Sequence, residues 1–204
     1  MTMGAAAFGR QYTGELRTIL DRLDYDAVER IVARLMRAYD EGHRVYTFGN
    51  GGSAATAAHL VCDLGKNTSG PTWPGLRVAC LSDNVPSATA FSNDHGYDTV
   101  FARQLATLLD PGDVVIAISA SGKSPNIVAA LDVARRRGAS VIGLLGFDGG
   151  PARARCDDAL VVPSFNYGQV EDTHLIVGHV LAQYLRQRLA LRPHEGGAGR
   201  VPPD

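Results

Sequence analysis

Apolar residues recur at helical spacing from about Thr13 to Tyr39, at Leu16, Ile19, Leu20, Leu23, Val28, Ile31, Val32, Leu35 and Met36. This stripe predicts an amphipathic hairpin or one long helix, with a break near Asp24-Tyr25 and Asp26 placed to cap the second half. Such a face packs on its own core or on a neighbouring subunit. The period then changes. Residues 44–48, 76–81, 114–118, 141–145 and 159–162 are apolar runs of strand length. Helical patterns over 53–64, 99–109, 125–137 and 170–191 separate most of them. Strands alternating with helices predict an α/β fold with a parallel sheet covered on both faces.

A chain of 204 residues buries one full core and is short for two α/β domains. The predicted organisation is a helical segment over 1–40, one domain over 41–190 and a tail over 191–204. The closing RPHEGGAGRVPPD is rich in Gly and Pro, and it is expected to be disordered. The formal net charge of −1 argues against a polyanionic partner such as nucleic acid. No apolar run approaches the length of a bilayer span, so no membrane partner is expected. The opening MTMGAAAFGRQ lacks the basic and apolar regions of a signal peptide. Cys62, Cys80 and Cys156 share no metal-ligand spacing and read as buried free thiols, so the protein is expected in the cytoplasm.

Two loops carry candidate chemistry. Ile118-Ser119-Ala120-Ser121-Gly122-Lys123-Ser124-Pro125-Asn126 follows a predicted strand and precedes a predicted helix. Hydroxyls on one tight turn, beside the unpaired N–H groups of a helix start, make a cradle for phosphate. Gly122 lets the backbone approach closely, and Pro125 suits the first helical turn. Taken alone, the serines serve equally well as turn residues, with Ser124 as a helix cap. Gly49-Asn50-Gly51-Gly52-Ser53 has the same setting. Ligands of open α/β sheets bind beyond the carboxyl ends of the strands, so two such loops would line one crevice. Neither loop is a Walker frame or a GxGxxG turn, which points to a small phosphorylated ligand rather than a nucleotide.

His59 and Asp63 are four residues apart on one helix face. That spacing suits two ligands of one metal, an acid–base pair or an ordinary ion pair. Glu171 and His179 share a face of the last helix at a separation of roughly 12 Å along its axis, so an ion touching both must lie between them. His174, near the same face, is placed to support such a site from behind. Ser92-Asn93-Asp94 by itself reads as a turn.

In this order the motifs resemble the sugar isomerase (SIS) domain family: Gly49 to Ser53 with His59, Ser119 to Ser124, then Glu171-Asp172-Thr173-His174 with His179. Within it they are most similar to the phosphoheptose isomerases, over roughly Ala38 to Leu185. The resemblance implies a three-layer αβα sandwich with a five-stranded parallel sheet, a homotetramer and active sites at subunit contacts. It implies Zn2+ held by His59, Asp63, Glu171 and His179, with Asp63 and His179 as the acid–base residues. It also implies substrate contacts from Asn50, Gly51, Gly52, Ser53, Asn93, Asp94, Ser119, Ala120, Ser121 and Ser124, joined by Asp63 and Glu171. The chain departs from the family pattern in having Asp63 for Glu, Glu171 for Gln, Ala120 for Thr and Lys123 for Asn. Asp63 shortens the arm by one methylene, and Glu171 adds a negative charge. Two imidazoles with two carboxylates suit zinc. Ala120 removes a hydroxyl, and Lys123 adds a positive charge for the phosphate.

The activity so implied is aldose–ketose isomerisation of a sugar phosphate through an enediol(ate), first of all sedoheptulose 7-phosphate to D-glycero-D-manno-heptose 7-phosphate. The anchored phosphate supplies binding energy remote from the reacting carbons. The departures at Asp63 and Glu171 keep another ketose phosphate open as substrate. The rival from a different class is a non-catalytic binding protein like the initiator-associating protein of the same family. Two histidines converging with carboxylates favour the enzyme.

Overall fold

The computed structural model describes residues 3–192, so the tail expected beyond them lies outside the described residues. Helices α1 (Ala5–Leu20) and α2 (Tyr25–Glu41) form the N-terminal hairpin. Helix α1 starts eight residues before the first position of the apolar stripe, Thr13, and residues 5–11 are exposed, so no buried face announces its first two turns. The cap of α2 is Asp24 rather than Asp26: its Oδ1 accepts the Ala27 N–H at 3.0 Å. The chain breaks two residues earlier than expected, which leaves Asp26 inside the first turn, near the positive helix end.

Five strands follow: β1 (Arg44–Gly49), β2 (Arg77–Cys80), β3 (Val114–Ser119), β4 (Ser140–Gly146) and β5 (Asp158–Val162). They pair in parallel in the order β2-β1-β3-β4-β5. The remaining helices are α3 (Gly52–Val61), α4 (Val85–His95), α5 (Val100–Leu108), α6 (Pro125–Arg136), α7 (Gly150–Arg153) and α8 (Tyr167–Ala190). The expected strands and the expected αβα layering are all present. Two helices went unpredicted for a physical reason. Helix α4 buries none of its residues, so it has no apolar stripe, and α7 is a single turn.

The pleat sends alternate strand residues to two cores. On one face Ile116, Ile118, Ile142 and Leu144 meet Leu35, Leu60, Leu181 and Leu185 of α2, α3 and α8. On the other, Phe48, Val115, Val141 and Leu145 meet Phe101, Leu105, Ile127 and Leu131 of α5 and α6. Phe48 and Phe101 stack there with ring centroids 4.9 Å apart. Two buried carboxylates pin the sheet's starting edge. Asp113 accepts the N–H groups of Arg44 (2.8 Å) and Asp110 (3.0 Å). Asp158 accepts Arg30 Nε–H at 2.8 Å and the Nε–H of Arg34, tying α2 to β5. The carboxyl edge of the sheet is thereby left to the loops.

One expected site residue belongs to this framework. His174 is fully buried, and its Nε2–H donates to the Leu145 carbonyl at 3.0 Å while Nδ1 has no partner. Burial pushes its pKa down from 6.5 to about 4, against the opposing pull of that hydrogen bond. The unfolded chain therefore takes up a proton that the folded protein refuses. Stability is full above pH 6.5, falls as the pH drops towards 4 and levels off below, a loss of about 3 kcal/mol. Urea unfolding at pH 7.5 and 4.5 should reveal this loss, and a smaller one in His174→Gln. Equal losses in the two proteins would rule His174 out as the source.

Candidate active site

In this strand order the sheet reverses direction of winding between β1 and β3, the place where such folds open a ligand crevice. The register pairs Gly49 with Ile118, so the loops leaving both strands start side by side. The glycine loop turns through Gly51 (φ 56°) into α3, whose first turn has no side-chain cap. In the serine loop, Ser119 Oγ accepts the Gly122 N–H at 3.1 Å and Ser121 Oγ accepts that of Lys123 at 3.2 Å. Ser124 stands at the start of α6 without making a capping bond. Gly122 (φ 62°) packs so closely on the next loop that a Cβ there would lie 2.0 Å from the Gly149 carbonyl oxygen. Asn50, Ser53, Ser119, Ala120, Ser121 and Ser124 line one crevice of about 130 Å³, joined by Tyr167 and Glu171. Lys123 faces Asp148, Nζ to Oδ2 3.6 Å, so its charge already has a partner.

The acid–base residues gather one helix length away. Helix α3 ends at Val61 in a wide π turn, Cys62–Lys66, which carries Asp63. Such turns are frequent at functional sites. Asp63 is 5% exposed. Its Oδ1 accepts the Asn67 side-chain amide at 2.8 Å. Its Oδ2 lies 3.2 Å from His59 Nε2 and 3.5 Å from His179 Nε2, and the two imidazole nitrogens are 3.1 Å apart. That Oδ2 is buried without a hydrogen-bond partner, an expensive state for a carboxylate oxygen. Two imidazoles and an orphaned carboxylate oxygen on one point are a donor set that fits zinc. A cleft of about 230 Å³ opens beside them, lined by Asp63, Asn67, His179, Ala182, Gln183 and Arg186. Cys62, on the same turn, is exposed rather than buried, Cys156 is half-buried and Cys80 buried, and all three thiols are free.

Glu171 lies apart from this trio. Helices α3 and α8 run side by side, Gly52 against Glu171 and Leu60 against Gly178. The Glu171 carboxylate rests on Gly52 so closely that a Cβ there would be 2.3 Å from Oε2 and 2.5 Å from Oε1. It therefore lines the serine crevice at the start of α3. Asn93 and Asp94 are exposed on α4, not in a turn, because Asn84 caps that helix by accepting the Ser87 N–H at 3.1 Å. They bond to each other, Asn93 Nδ2 to Asp94 Oδ1 at 2.9 Å, outside the crevice lining.

Sequence reasoning assigned no role to Tyr97, Asn126 or Asn67. Asn50 Oδ1 accepts from Tyr97 OH at 2.7 Å and from Asn126 Nδ2 at 2.9 Å, while Asn50 Nδ2 donates to Asn126 Oδ1 at 3.0 Å. Asn126 stands inside the serine-loop motif, and Tyr97 three residues after Asp94, but a pairing across 76 residues leaves no local signal. Larger hollows, of about 280 and 560 Å³, open at the starting edge of the sheet around Arg37 and Arg77. Neither holds a comparable convergence of donors.

A family model for the SIS domain matches residues 11–146. A phosphoheptose isomerase of Trichlorobacter lovleyi is 41% identical over 162 residues, which cover 79% of this chain and 82% of that one. One of Pelobacter propionicus is 40% identical over 159 residues, covering 78% and 84%. The solved structure of a phosphoheptose isomerase from Francisella tularensis superposes with a TM-score of 0.83 at 26% identity, over 91% of this chain and all of that one.

The serine loop holds its shape because residue 122 has no side chain. Gly122→Ala should destabilise the protein by about 2 kcal/mol or more, from the positive φ and the contact with Gly149 combined. Urea denaturation reads this directly. A variant as stable as the parent would mean that the loop follows another backbone course.

Proposed function

The chain belongs to the sugar isomerase (SIS) domain family, and we propose that it isomerises sedoheptulose 7-phosphate to the corresponding aldose phosphate. The observation that carries this reading is the buried Oδ2 of Asp63, aimed between two imidazoles next to a crevice of hydroxyls and helix starts. The relatives named phosphoheptose isomerase support the same substrate.

In this reading the phosphate is held by the hydroxyls of Ser53, Ser119, Ser121 and Ser124 and by the first N–H groups of α3. With that end fixed, the reacting carbons lie against Asp63 and His179, and holding them there lowers the barrier entropically. Asp63 Oδ2 removes the proton from C1 of the ketose, leaving an enediolate, and delivers it to C2. His179, through the ring nitrogen that does not hold the metal, takes the proton of the C1 hydroxyl and passes it to the oxygen on C2, so the carbonyl moves from C2 to C1. A zinc ion, which His59, Asp63 and His179 would hold, supplies Lewis-acid polarisation of the carbonyl. Glu171 faces the anchored end, where its charge opposes the phosphate.

The working unit is a homotetramer. Support comes from α4, which has no buried residue, and from Phe8, Val85 and Phe165, which stand 60%, 63% and 76% exposed. Its place is the cytoplasm, in keeping with three free thiols.

The decisive experiment follows sedoheptulose 7-phosphate by NMR with zinc-loaded protein. Turnover is expected, falling about 100-fold or more in Asp63→Asn. Binding without turnover would shift the reading to another ketose phosphate, and neither binding nor turnover would overturn it. Calorimetry with zinc alone should give one site per chain, weakened by Asp63→Asn more than the about tenfold that loss of an outer partner costs. Unchanged zinc affinity would remove Asp63 from the ligand set. Glu171→Gln should strengthen binding of inorganic phosphate to the metal-free protein about fivefold, since one like charge nearby costs about 1 kcal/mol in a half-exposed setting. Unchanged or weaker binding would place the phosphate away from Glu171.

A further inference from the structure

Residues 83–99 carry α4 and the short 3-10 turn Tyr97–Thr99, and with them Asn93 and Asp94. The polar side chains of this segment mostly satisfy themselves. Thr89 and Ser92 bond back onto carbonyls of their own helix, Thr99 onto those of His95 and Gly96, Asn84 caps Ser87, and Asn93 holds Asp94. Among the described residues, one side-chain hydrogen bond ties the segment to the rest of the chain: Tyr97 OH to Asn50 Oδ1, at 2.7 Å.

Asn50 has little capacity left for a ligand. Both lone-pair positions of its Oδ1 are used, by Tyr97 and by Asn126, and one of its two amide hydrogens is given to Asn126 Oδ1. Asn126 in turn is 1% exposed, accepts the Ile127 N–H at 2.9 Å and stands two residues beyond Ser124. A phenol on the α4 side, an amide on the glycine loop and an amide at the start of α6 thus form one hydrogen-bonded chain. It links the α4 segment to the two loops that line the crevice.

We propose that Tyr97 is a positioning residue, whose hydroxyl acts through Asn50 to hold the Asn93–Asp94 segment at a fixed distance from both phosphate loops. The proposal rests on the isomerase reading of the crevice. Asn50 keeps one amide hydrogen for a ligand in the crevice it lines. With α4 so lightly buried, loss of that hydroxyl frees the segment without disturbing the serine cradle.

Tyr97→Phe removes one oxygen and keeps the ring. Three readouts follow in the full-length, zinc-loaded protein. The kcat for sedoheptulose 7-phosphate should fall about tenfold, as expected when groups that position a substrate are loosened. The Kd for inorganic phosphate should stay within about twofold, because the cradle is untouched. Hydrogen exchange over residues 85–95 should quicken while that of α6 does not. A merely structural role would instead lower the melting temperature and the active fraction together, leaving kcat per active site and the phosphate Kd in step. A double-mutant cycle completes the test: Tyr97→Phe in an Asn50→Ser background should cost nothing further, whereas additive losses would overturn action through Asn50. Turnover by Tyr97→Phe within twofold of the parent, or unchanged exchange over 85–95, would also overturn the proposal. A parent that neither turns over sugar phosphate nor binds phosphate would sink the isomerase reading, and the exchange measurement would still decide whether Tyr97 is the tether.

Discussion

The site depends first on β1 and β3 lying side by side, in register, with their carboxyl ends level. From Gly49 the chain turns to the face covered by α3 and α8, and from Ser119 it turns to the face covered by α5 and α6. Two loops that leave neighbouring strands for opposite faces must part, and the gap between them is the crevice. Helix starts flank it from both sides, that of α3 without a side-chain cap and that of α6 with Asn126 Oδ1 accepting the Ile127 N–H. The pleat and the order of the strands therefore create an anion site before any particular side chain is considered. The serines then refine it, and Gly122 and Gly51 let the backbone take the course that this geometry demands.

The second constraint is the carboxylate of Asp63, which the fold holds out of water with one oxygen unsatisfied. Asn67 fixes the other oxygen, and the wide turn Cys62–Lys66 determines how far this short side chain reaches towards His59 and His179. Such an arrangement is costly in the bare protein, and a stable core must offset it. Leucines of α3 and α8 do so from within the core, Leu60 packing directly on Gly178, where a Cβ would leave it no room. Close helix contact is what lets two residues 120 positions apart, His59 and His179, bring their nitrogens to 3.1 Å.

Much of this was legible in the sequence, and the failures have identifiable causes. The central strands β1, β3 and β4 were visible because both their faces are buried, which writes a continuous apolar run. Helix α4 was invisible because none of its residues is fully buried, only Ala88 and Phe91 resting half-buried on the core, and Asp94 in consequence looked like part of a turn. Asp24 was overlooked as a cap because hydrophobic spacing cannot resolve a break of four residues. It was the family resemblance that implied Glu171 beside the histidines, whereas helical spacing already set it roughly 12 Å from His179 along the axis. In the fold Glu171 stands level with Gly52, at the other end of the shared interface. Tyr97 and Asn126 bear on the site through hydrogen bonds alone, and hydrogen bonds between distant residues leave no periodicity to detect.

The parallel course of α3 and α8 also sets a length. Gly52 and Ser53, at the anion end, precede His59 by seven and six residues, and Glu171 precedes His179 by eight. At 1.5 Å per residue, α3 puts about 10 Å and α8 about 12 Å between the end that holds a phosphate and the end that can move a proton. A ligand bridging the two must carry its carbonyl several carbons from its phosphate, so a triose phosphate is too short to reach. A longer ketose phosphorylated at its terminal carbon spans the distance with its middle hydroxyls facing the opening between the loops. Residues 83–99 are joined to the glycine loop by the Tyr97 hydroxyl on Asn50. Reach along two helices and the placing of one tethered segment are separate physical requirements, and both are referred to the loops at the switch point between β1 and β3.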